Sequence, residues 1–152
     1  VMEFENILRE RRIPFEMHHH RPVYTAQQLA QAEHVPGQNV AKPVIVKGSR
    51  GFTMCVLPAP SHLDMQRVSE VLRDSNVRLA MEYELAQLFP DVEVGAEPPI
   101  GSLYNLPTII DRHLEEDEEI VLAAGSHEES VKMRRADWEK LCNAVVADIA
   151  IE

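Results

Sequence analysis

Cysteine is scarce in this 152-residue chain: there are two, Cys55 and Cys142. Thiols so far apart make no disulfide framework. That excludes a small cross-linked secreted scaffold and fits a reduced, cytoplasmic setting. Long hydrophobic runs are also missing. No window approaches the roughly 18 consecutive apolar residues of a membrane-spanning helix. Residues 1–6 lack a basic stretch followed by an apolar one, so they do not read as a secretory signal. Val1 ahead of Met2 fits either a cloning remnant or a piece cut from a longer chain. Internal repeats, low-complexity tracts and Gly/Ser linkers are absent, so residues 1–152 read as one domain.

What is present is ordinary globular material, with 45% hydrophobic and 26% charged residues. That suffices for one core and excludes a disordered or collagen-like chain. The net charge of −10 is unevenly placed. Residues 1–75 balance at +1, whereas residues 76–152 balance at −11. A broad basic face that coats DNA or RNA is thereby excluded, while contact with one short anionic end is not.

Periodicity predicts a mixed α/β order. Phe4, Ile7 and Leu8 form one helical stripe over residues 2–12, ended by Pro14. Residues 15–20 read as a strand. Thr25 followed by Gln28 is a capping-box pattern for a helix to about Glu33. Residues 40–47 and 52–57 form a hairpin, with Pro43 marking an edge or bulge. Asp64 caps a helix over residues 65–73, with Val68, Val71 and Leu72 on its apolar side. A short strand over 77–80 and a helix over 82–89 follow. Residues 95–101 form a stiff Gly/Pro loop. Strands are expected at 107–111, 120–124 and 129–134, and a last helix at 136–143. The acidic run 115–119 reads as a solvated turn. Short hairpin connections favour a mixed, partly antiparallel sheet over a doubly wound one.

Six segments, in order, then matter together: HRPVYTAQQLA (20–30), AKPVIVKG (41–48), VLPAPSHLD (56–64), GAEPPIGSL (95–103), LPTIID (106–111) and AAGSHEE (123–129). The series resembles the YbaK-type aminoacyl-tRNA deacylases, free-standing relatives of the editing domain of bacterial prolyl-tRNA synthetases. The resemblance covers about residues 3–150. It implies a curled, barrel-like mixed sheet surrounded by helices. It also implies hydrolysis of the ester of a mischarged tRNA.

That reaction needs a polarised carbonyl, an aligned water and a held 3′-terminal adenosine. It calls for no metal or organic cofactor. Lys42 matches the lysine of the family's strand motif, and its compact cation suits a phosphate or a developing negative charge. Read alone, it would equally be a solvated strand lysine. Relatives often carry Thr, Asn or Ser after this lysine; Pro43 removes both a backbone donor and a side-chain one. Lys47 reads as solvent-facing or as a weak phosphate contact.

Gly95 and Pro99 match the family's GxxxP loop, and Gly101 and Ser102 continue that wall. Read alone, this is also a plain connecting loop. His127 stands where editing relatives carry a functional histidine, able to orient the ester or a ribose hydroxyl. Asp111 matches a family acid or amide position that would hold Lys42 or a ribose hydroxyl. Tyr24 and Thr25 lie near the pocket mouth in relatives, although Thr25 is explained by capping alone. His18 and His20 share one strand face, but no third ligand completes a zinc pattern. Neither Cys55 nor Cys142 has an activating partner.

The leading expectation is a deacylase acting in trans on the acceptor end of an aminoacyl-tRNA, with Lys42 and His127 catalytic. The runner-up is an inactive tRNA- or small-ligand-binding module of the same fold, within a larger regulatory chain or a homo-oligomer. A general esterase is the third class.

Overall fold

The computed structural model describes residues 2–152, with side chains from residue 4 onward. Val1 lies outside the described residues. Helix α1 (Met2–Glu10) buries Phe4 and Leu8, one helical turn apart. Two residues beyond its end, Arg12 adopts the left-handed conformation ahead of Pro14. Strand β1 (Phe15–His19) follows. Helix α2 (Ala26–Glu33) starts on Thr25, whose hydroxyl accepts from the Gln28 amide. Gln28 reaches back one residue past the cap, where its Oε1 accepts from the Tyr24 amide at 2.8 Å. Residues 23–25 are thereby held rigid, in a variant of the expected capping box.

The hairpin of β2 (Ala41–Gly48) and β3 (Gly51–Pro58) is the longest antiparallel pair. Its register sets Lys42 opposite Leu57 and Pro43 opposite Val56. Strand β4 (His62–Leu63) and helix α3 (Met65–Leu72) come next, and Asp64 caps α3 by accepting from the amides of Gln66 and Arg67. Strand β5 (Arg78–Leu79) pairs with β2 only at Val46 and Lys47. Pro43 therefore sits on a stretch of β2 paired by β3 alone, where its missing N–H costs nothing. Helix α4 (Glu82–Leu88) precedes the Gly/Pro loop and a 3₁₀ turn, Gly101–Tyr104.

Strand β6 (Thr108–Asp111) runs parallel to β3. A second 3₁₀ turn, Arg112–Glu116, leads to β7 (Glu119–Ala123), β8 (Glu129–Arg134) and α5 (Arg135–Cys142). The chain closes with β9 (Val145–Ala147) and β10 (Ala150–Ile151).

The strands form a five-stranded mixed sheet in the order β5-β2-β3-β6-β9, a three-stranded antiparallel sheet β1-β8-β7, and the pair β10-β4. One bridge between Val40 and Val121 ties the two larger sheets together. The whole curls around a main core that includes Trp138, Ile110, Leu122 and Met54, all fully buried, with two smaller apolar clusters beside it, but it does not close into a barrel. The Trp138 indole donates to the Pro99 carbonyl at 3.0 Å, so the core satisfies its own polar tip.

Two expectations need correction. Val71 is exposed, whereas α3 turns Val68 and Leu72 inward as expected. A helix only two turns long offers a narrower buried stripe than the sequence pattern suggested. Strands β4, β9 and β10 have too few residues to show an alternating pattern in the sequence. The acidic run is not uniformly solvated. Asp117 is buried, and its Oδ2 has no hydrogen-bond partner among the described residues. Burial, the largest effect, pushes its carboxyl up to about 6.

The charged form of Asp117 is thus penalised in the folded chain. An unfolded aspartate titrates near 3.9, so the penalty is full above pH 6 and disappears as the pH falls towards 4. Asp117→Asn should stabilise the protein by roughly 1–2 kcal/mol at pH 7.5 and by almost nothing at pH 4. Chemical denaturation of both proteins across that range measures the difference.

Candidate active site

A cavity of about 410 Å³ opens where the start of α2, strand β2, the Gly/Pro loop and the turn between β7 and β8 meet. Its walls are mostly apolar, with Val23, Leu29, Val40, Val44, Ile45 and Leu85 among them. The polar side chains that reach it include Tyr24, Thr25, Lys42, Glu97 and His127.

Lys42 is held in a defined position. Its ammonium donates to the carbonyls of Ala59 at 3.0 Å and Ser61 at 2.7 Å, just beyond the end of β3. An ammonium has three protons, so one remains for a ligand. Partial burial lowers the Lys42 pKa from its ordinary value, which sharpens its response to an incoming negative charge.

His127 is positioned by its backbone. Its amide donates to Glu93 Oε1 at 2.7 Å, and its carbonyl accepts from the Val23 amide at 3.0 Å. The imidazole makes no protein hydrogen bond among the described residues. It packs against the Tyr24 ring, centroid to centroid 4.8 Å, tilted by 49°. Tyr24 is 64% exposed and forms a lip of the cavity.

The turn and the loop are stitched together. The Glu93 amide donates to the Gly125 carbonyl and the Gly125 amide to the Ala96 carbonyl, each at 2.9 Å. Gly125 and Gly95 have φ values of +100° and +93°, a region that disfavours any side chain. A Cβ on Gly95 would also stand 3.5 Å from the His127 ring.

The remaining site candidates lie elsewhere. Pro99 offers its carbonyl to Trp138 and Cys142. Ser102 donates to the Leu141 carbonyl at 2.7 Å, closing the end of α5. A Cβ on Gly101 would fall 2.0 Å from Thr108 Oγ1 and 2.8 Å from the Leu106 carbonyl, so close packing alone demands glycine there. Asp111 does not hold Lys42. Fully buried, it accepts from the Ile149 amide at 3.1 Å and from the amide and ring of His113, pinning the C-terminal segment. The reason is positional: β3 lies between β2 and β6, so Asp111 stands two strands away from Lys42.

The histidine run is structural at His18, whose two ring nitrogens meet Glu33 and Glu16. The Glu33 hydrogen bond, its largest influence, raises the His18 pKa. Asp111, His113 and Asp148 bring ligand atoms within 4.8 Å of one another. Asp148, however, is engaged by Arg67 and Arg112, and this group is not among the cavity's walls. Both thiols are buried, and burial pushes Cys55 up to about 12 and Cys142 higher still. Lys47 pairs with Glu84 at 3.6 Å.

The model of the aminoacyl-tRNA editing domain matches residues 20–141, most of the chain and every wall of the cavity. The chain belongs to the aminoacyl-tRNA editing-domain family. A proline–tRNA ligase of Thermosipho africanus (strain TCF52B) is 29% identical over 80 residues, which are 53% of this chain and 14% of the ligase. The match thus spans a small part of that enzyme. Among solved structures, a hypothetical protein superposes with a TM-score of 0.88 at 23% identity, covering 97% of this chain and 99% of its own. A protein described as a candidate trans-editing enzyme for prolyl-tRNA synthetase gives 0.83 at 21% identity, covering 98% and 95%. At such identities these two likenesses establish the editing-domain fold alone.

Sequence reasoning missed Glu93, which locks the His127 backbone, and Glu97, on the cavity wall. The one visible signal for Glu97 is a lone carboxylate in an otherwise apolar Gly/Pro loop. No helix of the described residues is long and apolar enough to cross a membrane.

The two loop glycines should fail in different ways. Gly101→Ala should cost about 2–4 kcal/mol, because backbone must move to admit the methyl group. Gly95→Ala should cost about 1–2 kcal/mol from the positive φ and distort the cavity wall. Melting temperatures separate the two.

Proposed function

We propose that residues 1–152 act as one trans-editing module: an aminoacyl-tRNA deacylase that hydrolyses the ester of a mischarged tRNA. The observation that carries this reading is the meeting of a backbone-tethered Lys42 ammonium and an unbonded His127 imidazole on one mostly apolar cavity, in a chain of the editing-domain family.

The chemistry follows from the donors. The third Lys42 proton faces the ester carbonyl and stabilises the negative charge that builds on its oxygen. His127 holds the ribose hydroxyl or the attacking water. Water forms the new C–O bond, the ester C–O bond breaks, and a proton ends on the ribose oxygen. The products are a free amino acid and an uncharged tRNA. No covalent intermediate and no metal is required. The apolar walls suit a small uncharged side chain, and the exposed Tyr24 ring suits the terminal base. Gly95 completes the wall beside His127. Thr25 lines the same cavity at the start of α2, while Pro99, Gly101 and Ser102 serve the fold. Asp111 serves the fold rather than the ester. Such an enzyme works in the cytoplasm, where tRNA is charged.

A panel of Ala-, Cys- and Ser-tRNA substrates tests the proposal. Wild type should hydrolyse at least one. Lys42→Ala should lower that rate by about 100-fold or more, the scale of one lost oxyanion donor. Hydrolysis of no member, with tRNA still bound, would select the binding module. Equal activity on simple amino-acid esters would select the general esterase.

With a net charge of −10, few phosphates are expected to be neutralised. Binding measured from 50 to 200 mM salt should then show a log–log slope no steeper than about −3.

A further inference from the structure

Glu97 is a side chain the deacylation scheme leaves unused. It is 7% exposed, yet it stands on the wall of the cavity, between Gly95 and the two prolines of the loop. Its Oε2 accepts from the Gly95 amide at 2.9 Å. Its Oε1 has no protein partner, and no lysine, arginine or histidine pairs with it among the described residues. A carboxylate largely withdrawn from water normally has a cation beside it. Lys42, the lysine of the same cavity, turns its ammonium to the carbonyls of Ala59 and Ser61 and makes no ion pair with Glu97. No counter-ion within pairing distance is therefore found among the described residues.

The substrate class proposed above carries that counter-ion. An aminoacyl ester has a free ammonium on its α-carbon, one bond from the carbonyl that Lys42 and His127 address. We propose that Glu97 is the receptor for this α-ammonium group, and that the site thereby discriminates aminoacyl-tRNA from N-acylated forms such as peptidyl-tRNA. The inference rests on the editing reading. It adds the feature by which a deacylase that recognises little of the tRNA body would spare chains still under synthesis. Acylation removes the positive charge and adds bulk, so the same carboxylate that attracts one substrate is left buried and unpaired by the other.

Glu97 also stiffens its loop through the Gly95 amide, and the test must separate the two roles. Glu97→Gln does so, because its amide oxygen still accepts from Gly95 while the charge is gone. The probes are 3′-deoxy-3′-(alanylamino)adenosine, a non-ester mimic of the acceptor end, and its N-acetyl derivative. Binding of each to wild type and Glu97→Gln is measured by calorimetry. Wild type should bind the free amine at least about tenfold more tightly than the acetylated form. In Glu97→Gln the two should agree within about threefold, with affinity for the acetylated form no lower than in wild type. Equal affinities in wild type, a preference that survives in Glu97→Gln, or no binding of either probe would each overturn the proposal. Hydrolysis of alanyl-tRNA, assayed alongside, judges the editing reading separately. Amine-selective binding without hydrolysis would leave Glu97 in its role and remove the catalytic one.

Discussion

The site depends on where one ammonium can be placed. Lys42 sits partly buried, and a cation there must find oxygen atoms or withdraw to solvent. It finds the carbonyls of Ala59 and Ser61, which become available because the chain leaves β3 at Pro58 and turns. The eight-residue register between β2 and β3 brings that turn alongside Lys42. A slip of one residue would send the side chain to the other face of the sheet and leave the carbonyls unpaired. The long hairpin is thus the ruler that sets the cation, and the other walls assemble around it.

Those walls come from distant parts of the chain. The start of α2 supplies Tyr24, the loop after α4 supplies Gly95 and Glu97, and the β7–β8 turn supplies His127. None touches the hairpin in sequence. They are brought together by backbone hydrogen bonds: Val23 to His127, Glu93 to Gly125 and Gly125 to Ala96. Backbone ties hold geometry without using the side chains needed for chemistry, so the His127 imidazole stays free for a ligand. The motif GxxxP divides accordingly. Its glycine end faces the cavity, while its proline end turns back to hold Trp138 and the close of α5.

Much of the fold was legible from local signals. Thr25 and Asp64 marked the starts of two helices, and both hydroxyl and carboxylate cap as their positions suggest. Val131 and Met133 alternate inward against Lys132 and Arg134, as a half-buried strand requires. The misses share a cause. Strands β4, β9 and β10 are two or three residues long and exist only because other strands are there to pair with. Asp117 looked like one member of a solvated run, yet tertiary packing covers it alone.

By itself, the sequence determined the order of the longer elements, the absence of a disulfide framework, the uneven charge and the motif series that marks the editing-domain family. Each of these is written in neighbours along the chain or in simple counts. Only the tertiary structure decided which motif residues share a cavity. It gathered Tyr24, Lys42, Gly95 and His127, and sent Asp111, Gly101 and Ser102 to structural work. It also exposed Glu97 as a carboxylate with no counter-ion among the described residues. The physical reason is that burial and partnership are properties of three-dimensional packing. The same residue types at the same spacing carry either role until the rest of the chain closes around them.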